Sequence, residues 1–381
     1  MVPFTLVANS DALAHLVAAL ARAPVVAVDT ESNSLHAYRE RVCLIQISTP
    51  DADYIVDPIA LPDLSTLGPV MANAGQQKIL HAAENDLVCL RRDFQFSFAN
   101  IFDTMTGART LGWPQVGLAP ILKTHFGVTM DKKYQRADWQ RRPLTPEQLE
   151  YARLDTHYLV ALRDKQFDEL SASGRWPEAH EEFDRLARGR DEQDGIGTPS
   201  SAFWRVKGAR DLSPQQAALL DAVFTYRERE AERLDRPPFK IMAEATLMEL
   251  VRRAPRETQE LRRVPGMTSE QVRRHGQALL SAIEQGLQAA PQHAPQEARE
   301  PDDVRDRYDR LHTWRKERAR ARGVESDVIV PRTTLHDLAR RVPRTHDELT
   351  TIKDFGPWRR GAYGDEILAL LAAPAPPPQS A

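Results

Sequence analysis

Only two cysteines, Cys43 and Cys89, occur in 381 residues, and both sit inside apolar segments, VCLIQI and DLVCLRR. So few thiols, so placed, read as core side chains in a reducing compartment and exclude a disulfide-stapled scaffold. Long apolar runs are missing too, because charge interrupts each one well before the roughly 20 residues that a membrane-spanning helix needs. The first 25 residues lack the basic stretch, apolar core and small-residue cleavage site of an export signal. The chain is therefore expected to be soluble and cytoplasmic, with no membrane contact and no obligate protein partner evident. A strong excess of one charge is absent as well, at a formal net −3.

That small net charge conceals an asymmetry. Residues 1–203 carry 20 Lys and Arg against 27 Asp and Glu, whereas residues 204–375 carry 31 against 27. An acidic front part suits bound cations and a basic rear part suits phosphates, although a modest excess also describes an ordinary solvated surface. With 41% hydrophobic residues the chain can bury a substantial core, and its length suggests two or three domains.

The opening alternates strand-like and helix-like segments: TLVANS, the helical DALAHLVAALAR, then VVAVD, VCLIQISTP, DYIVDP and KILHAA. Val- and Ile-rich runs separated by a 3.6-residue pattern predict an α/β domain with a mixed sheet. From Asp86 onward the pattern reads as mostly helical, with Thr145 and Pro146 at the cap and first turn of LTPEQLEYARLDTHYLVALRDK. The reading places this domain at residues 1–175 and a connecting helix and linker at 176–208, including the polar RGRDEQDGIGTPSS. Two helical modules follow at 209–290 and 302–373, joined by the Pro-rich QAAPQHAPQEAREP. TLMELVRRAPRETQELRRVPGM in the first parallels TLHDLARRVPRTHDELTTIKDFG in the second, an internal duplication. The tail 374–381 is low in complexity and is expected to be disordered.

The chemistry is carried by carboxylates. Asp29-Thr30-Glu31 ends an apolar strand, so two acids one residue apart point to the same side where the strand runs out. Such a pair suits a hard divalent cation that keeps part of its water, yet alone it also describes a solvated strand end. Asp86, in HAAEND, opens a helix and serves equally well as a cap. Asp155, with Tyr151 four residues earlier, shares one helix face with the phenol, which is also the pattern of an amphipathic surface.

Their joint order, DxE, then HxxxxD, then YxxxD, resembles ribonuclease D and the wider DEDDy exonuclease superfamily. The resemblance runs along essentially the whole chain, through VDTES, RVCLIQI, HAAENDL, FDTMTGARTLGW, GLAPILKTHFGV and MDKKYQRADWQRRPLTPEQLEYARLDTHYL. It implies an α/β ribonuclease H-like exonuclease domain with a mixed sheet. Two all-α domains would follow, similar to helicase-and-ribonuclease-D C-terminal (HRDC) domains. It further implies that Asp29, Glu31, Asp86 and Asp155 bind two divalent metal ions, Mg²⁺ or Mn²⁺, and that Tyr151 positions the attacking water. The implied activity is 3′-5′ hydrolysis of RNA to nucleoside 5′-monophosphates, with precursor tRNA 3′ ends as partner. A DNA exonuclease of proofreading or repair type, or a non-catalytic RNA-binding relative, would share the fold. Ser32 departs from the aromatic or other bulky residue that many relatives carry after the Glu, so the resemblance does not define the detail of the terminal-base pocket, whereas the metal site is unaffected.

Substrate contacts are expected at several further positions. Leu35, His36 and Tyr38 could floor the terminal base, as apolar and aromatic platforms do for any base, or form a plain turn. His81 reads as a hydrogen-bonded strand residue or a substrate contact. Lys132 and Gln135, in a segment that mixes cations with rings, are assigned to substrate, and Trp139 to packing. In RRVPGMTSEQVRRHG a Gly-containing turn would expose helix N-terminal amides to phosphate beside Arg262, Arg263, Arg273 and Arg274. The turn Phe355-Gly356 with Lys353, Arg359 and Arg360 is its plausible twin.

Overall fold

A computed structural model of the chain describes residues 3–189, 199–295 and 300–373. Most of the polar linker, part of the Pro-rich spacer and the expected tail at 374–381 lie outside the described residues. Six strands form one mixed sheet: β1 (Phe4–Val7), β2 (Val25–Ser32), β3 (Val42–Ser48), β4 (Asp53–Val56), β5 (Gln77–Leu80) and β6 (Ile101–Asp103). Their order is β1-β4-β3-β2-β5-β6, with β2 antiparallel to β3 and parallel to β5. The three-residue β6 is too short to leave an alternation signal, and the sequence reading of a mostly helical chain after Asp86 missed it.

The helices of this part are α1 (Ser10–Leu20), α2 (Gly68–Ala72), α3 (Glu84–Phe94), α4 (Thr104–Leu111), α5 (Leu118–Phe126), α6 (Pro146–His157), α7 (Leu159–Ala172) and α8 (Trp176–Arg188). They cover both faces of the sheet, which is why β3 is buried at every position and reads as a continuous apolar run. One face presents Val26, Val28, Ile45, Ile47 and Val56 to Leu16 and Leu20 of α1 and to Leu87 and Leu90 of α3. The other presents Ala27, Ile79 and Phe102 to α7 and α8, and Leu44 and Ile55 to Trp139 and Ala152. Each fully buried aliphatic side chain here stabilises the fold by about 1.5–3 kcal/mol. Helix α8, which the sequence reading placed in the connection, inserts Phe183 against Phe102 with ring centroids 4.7 Å apart.

The helical repeat is visible element by element. The first copy holds α9 (Pro214–Arg233), α10 (Pro238–Ile241), α11 (Glu244–Arg253), α12 (Thr258–Leu261) and α13 (Ser269–Gln288). The second holds α14 (Asp302–Arg322), α15 (Ser326–Ile329), α16 (Arg332–Arg341), α17 (His346–Leu349) and α18 (Pro357–Ala372). Helices α11 and α16 even end alike, on left-handed residues Ala254 and Val342, a conformation a β-branched valine rarely takes. By packing, the chain divides into two compact units. One unites the sheet domain with the second helical copy; the other unites the first copy with the loop Asn33–Arg41. Among the described residues no helix is long and apolar enough to cross a membrane.

Candidate active site

Strand β2 fixes the first two acids. Its even-numbered side chains Val26 and Val28 enter the core under α1 and α3, so Asp29 and Glu31 emerge on the opposite face, the side covered by α6. Thr30 points the other way and donates its hydroxyl proton to Asp86 Oδ1 in a short hydrogen bond. Asp86 lies in the first turn of α3 but is not its cap, which is Ala83 without a side-chain bond. The carboxylate is instead buried and turned toward the end of β2.

Helix α6 brings the remaining pair. It starts from a capping box in which Thr145 and Gln148 bond each other's backbone amides, with Pro146 in the first turn. Caps of this kind contribute about 1 kcal/mol. Tyr151 and Asp155 follow one turn apart. The phenol ring is held between Trp139, stacked at 6.0 Å and 27°, and Tyr134, edge-on at 6.0 Å. Trp139 is therefore a packing residue, as its sequence context suggested. Arg142 secures this segment by clasping Asp57 through Nε and Nη2, at 2.6 and 2.7 Å.

The electrostatics of the four acids are dominated by burial and by the charges of neighbouring acids. Burial pushes Glu31 up to about 9, with the charges of Asp155 and Asp86 adding to it. Asp155 is raised to about 7 by burial and by Asp86. Asp86 reaches only about 6, because burial is opposed by the Thr30 hydroxyl. Asp29 is raised well above the carboxylate range by burial, then by Asp86, Asp155 and Glu31. Burial and the charges of Asp155, Glu31 and Asp29 also push the Tyr151 phenol up, so it stays protonated near neutral pH.

No three acidic, imidazole or thiol groups among the described residues converge to metal-bonding range of one point. The four carboxylates instead act on one another at the longer range of charge repulsion. Their chemistry nevertheless fits divalent cations: all donors are hard oxygens, and a cation would relieve the repulsion that holds protons on them. A further fit lies at Gln46, which opposes Asp29 across the β2–β3 ladder. Its side chain is completely buried, and neither its amide nitrogen nor its oxygen has a hydrogen-bond partner among the described residues. A donor and an acceptor beside the carboxylates suit the water shell of a bound ion.

The other expected contacts scatter. Leu35, His36 and Tyr38 belong to the loop that packs with the first helical copy. There the Tyr38 hydroxyl donates to Glu228 at 3.5 Å, its backbone amide to Asp235 at 3.1 Å, and His36 Nδ1 lies 3.4 Å from Lys240 Nζ. Tyr38 is thus engaged by α9 rather than standing open as a base platform, and Leu35 alone of the three is largely exposed. His81 bonds Thr104 through Nδ1 at 2.9 Å, and Thr104 in turn donates to the Leu80 carbonyl, so the imidazole is part of a buried turn. Burial also lowers its pKa. Lys132 and Gln135 are exposed, flanking Tyr134.

The phosphate-cradle expectation needs correction in both copies. In the first, Thr268 and Gln271 form a capping box at the start of α13 that already uses two of the amides. Arg273 and Arg274 both pair with Glu270, while Arg262 and Arg263 are exposed. In the second, the carboxylate of Glu181 from α8 accepts the Trp358 amide at 2.6 Å. It lies so close to Gly356 that any Cβ there would collide with it. Arg359 is buried, not a surface cation.

Sequence reading also missed Asp53, Arg153 and His157, which form a buried polar group behind α6. Gln46 left a signal that went unused, since a glutamine in the middle of VCLIQI is a polar residue committed to burial.

A family model described as 3′-5′ exonuclease matches residues 4–170, and the HRDC domain model matches residues 216–283 and 304–371. Protein RRP6-like 3 of Arabidopsis thaliana is 43% identical over 165 residues, 43% of this chain but only 18% of that protein's length. Ribonuclease D of Escherichia coli is 31% identical over 292 residues, covering 76% of each chain. The crystal structure of Escherichia coli RNase D, an exoribonuclease involved in structured RNA processing, matches 97% of this chain and 98% of its own with a TM-score of 0.71 at 26% identity. Sequence, fold and repeated helical copies agree: the chain belongs to the ribonuclease D family.

Proposed function

We propose that this chain is a 3′-5′ exoribonuclease that removes nucleotides one at a time from RNA 3′ ends as nucleoside 5′-monophosphates, with precursor tRNA as its substrate class. The observation that carries the reading is the gathering of four acids from three separate elements, β2, α3 and α6, close enough that the charges of Asp86 and Asp155 bear on both Asp29 and Glu31. Asp29, Glu31, Asp86 and Asp155 would hold two divalent ions, Mg²⁺ or Mn²⁺. Such a pair supplies an activated water and a clamp on the attacking and leaving oxygens of an in-line displacement at phosphorus.

The chain's own residues do the rest. Thr30 orients Asp86 through its hydroxyl. Tyr151, kept protonated by burial and by its acidic surroundings and fixed by Trp139 and Tyr134, offers a neutral hydroxyl that can hold and orient a water without competing for cations. Lys132, Gln135 and the exposed Arg262 and Arg263 are candidates for backbone contacts along the RNA.

A time course on labelled single-stranded RNA and DNA of equal sequence, with Mg²⁺, Mn²⁺ or EDTA, tests this. Stepwise loss from the RNA 3′ end that stops in EDTA is expected. Preference for DNA would favour a proofreading-type enzyme, and no cleavage of either would leave only RNA binding. Precursor tRNA with extra 3′ nucleotides then tests the substrate class.

A further inference from the structure

Helix α6 lies across the sheet with a different task on each flank. At about 100° per residue, Ala152 and Thr156 face the strands, Tyr151 and Asp155 lie on one side of them, and Arg153 and His157 on the other. The flank of Tyr151 and Asp155 faces Asp29 and Glu31 on β2. The flank of Arg153 and His157 faces β4, where Asp53 sits in a buried position.

Asp53 is bonded from both structures it faces. Arg153 Nη1 donates to Asp53 Oδ2 at 2.9 Å, and His157 Nδ1 lies 2.8 Å from the same oxygen. Ser48 of β3 donates to Asp53 Oδ1 at 2.6 Å, and the Ser48 hydroxyl is also 2.7 Å from that of Thr156. Arg153 is completed by Glu150, which accepts from Nε and Nη2 at 3.0 and 2.6 Å. Asp53 and Arg153 are each only 4% exposed, so this is an ion pair within the fold rather than a surface contact.

The ladder connects this group to the acids. Asp53 pairs with Ser48, and Ser48 pairs with Ala27, two residues before Asp29 on the same face of β2. Three side chains of α6 therefore grip one cross-strand row, while Asp155, between two of them in sequence, meets the next positions along β2.

We propose that Asp53 and Arg153 are positioning residues of the active site: together they set the rotation and height of α6, and thereby the distance from Asp155 and Tyr151 to Asp29 and Glu31. The inference rests on the reading of the four carboxylates as a metal site. Metal ligands tolerate displacements of only about 0.2 Å, whereas a slip of α6 by one residue would move Asp155 by about 1.5 Å and rotate it by about 100°. A well-packed apolar contact would hold the helix against the sheet equally firmly. A buried ion pair with directional bonds adds a defined register, its best-attested use.

The test uses the full chain with Arg153→Met, which keeps volume and removes the guanidinium, Arg153→Lys, and Thr156→Val as a milder cut of the same grip. Mn²⁺ titration by calorimetry, melting in EDTA, and kcat and KM on single-stranded RNA are measured for each, beside Asp155→Asn. A misplacement of about 1 Å set up by a change away from the reacting groups costs up to about 100-fold in rate. Arg153→Met is expected to weaken Mn²⁺ binding and to lower kcat by about 10- to 100-fold with KM within about twofold, and Arg153→Lys to recover part of it. If Arg153→Met does not fold, Thr156→Val carries the same expectation at smaller size. Folded variants with lower melting temperatures but unchanged Mn²⁺ affinity and kcat would overturn the proposal. Should Asp155→Asn itself bind Mn²⁺ normally, the reading of the carboxylate site fails first, a distinct result.

Discussion

Glu181 on α8 receives Nη1 of Arg359 from the second helical copy at 2.9 Å, with both side chains at least nine-tenths buried. Nearby, Arg322 of α14 donates through both terminal nitrogens to Glu178, at 2.8 and 2.5 Å, and through one of them also to the Tyr363 hydroxyl. Two carboxylates of one nuclease-domain helix thus tie down the second copy, and Glu181 occupies the very turn that sequence reasoning offered to phosphate. Removing one partner of a buried pair costs about 3–5 kcal/mol, because the other is left uncompensated. Arg359→Ala is expected to lower the melting temperature and to make residues after 300 susceptible to limited proteolysis before the sheet domain unfolds. An unchanged digestion pattern would show that this docking does not depend on the pair.

Neutralising a carboxylate of the site should remove activity without removing the fold. Asp29→Asn and Asp155→Asn keep shape and lose charge where cation binding needs both. No RNA shortening is expected from either, with near wild-type RNA affinity in a gel-shift assay. Digestion at wild-type rate by either variant would show the assignment to be wrong.

The raised carboxylates make a signed prediction about pH. Folded Glu31 holds its proton up to about 9, whereas an unfolded carboxyl releases it near 4. The folded state therefore binds more protons between these values, and this contribution is present at acid pH and lost as pH rises toward 9. In EDTA, Glu31→Gln should melt close to wild type at pH 5 and above it at pH 8.5. Adding Mn²⁺ should raise the wild-type melting temperature more at pH 8.5 than at pH 5, because cations and protons compete for the same oxygens. Parallel melting curves for the two proteins across that range would contradict this.

Tyr151→Phe separates water positioning from metal binding. The ring contacts with Trp139 and Tyr134 survive in Phe, and only the hydroxyl is lost. Single-turnover cleavage should slow by about 10²- to 10⁴-fold with Mn²⁺ affinity unchanged. A loss of metal affinity equal to that of Asp155→Asn would instead make the phenol a support for the ligand.

RNA tethering by the first helical copy should depend on Arg262 and Arg263 more than on Arg273 and Arg274, since Glu270 engages both of the latter. Each single-strand phosphate contact contributes about 0.7 to the slope of log affinity against log salt. The double substitution of Arg262 and Arg263 to Ala is expected to flatten that slope by about one unit or more in fluorescence anisotropy. Equal slopes for the two double variants would remove the distinction.

What the sequence determined by itself is local or periodic. Residues alternate along a strand, so Asp29 and Glu31 must share one side of β2 and Val26 and Val28 the other; Thr145, Pro146 and Gln148 start α6 wherever the chain goes; Tyr151 and Asp155 must share a face because an α-helix turns every 3.6 residues. The order of those motifs, and the doubled helical pattern, were legible for the same reason. Tertiary structure alone decided which groups meet across long stretches of chain. Asp53 and Arg153, Glu181 and Arg359, and Thr30 and Asp86 are joined over 56 to 178 residues. No propensity or spacing encodes such a pairing. Even where one member stood out in sequence, as Asp86 did, its partner did not: it is set by the requirement that a charge or hydroxyl taken out of water find one when the elements pack.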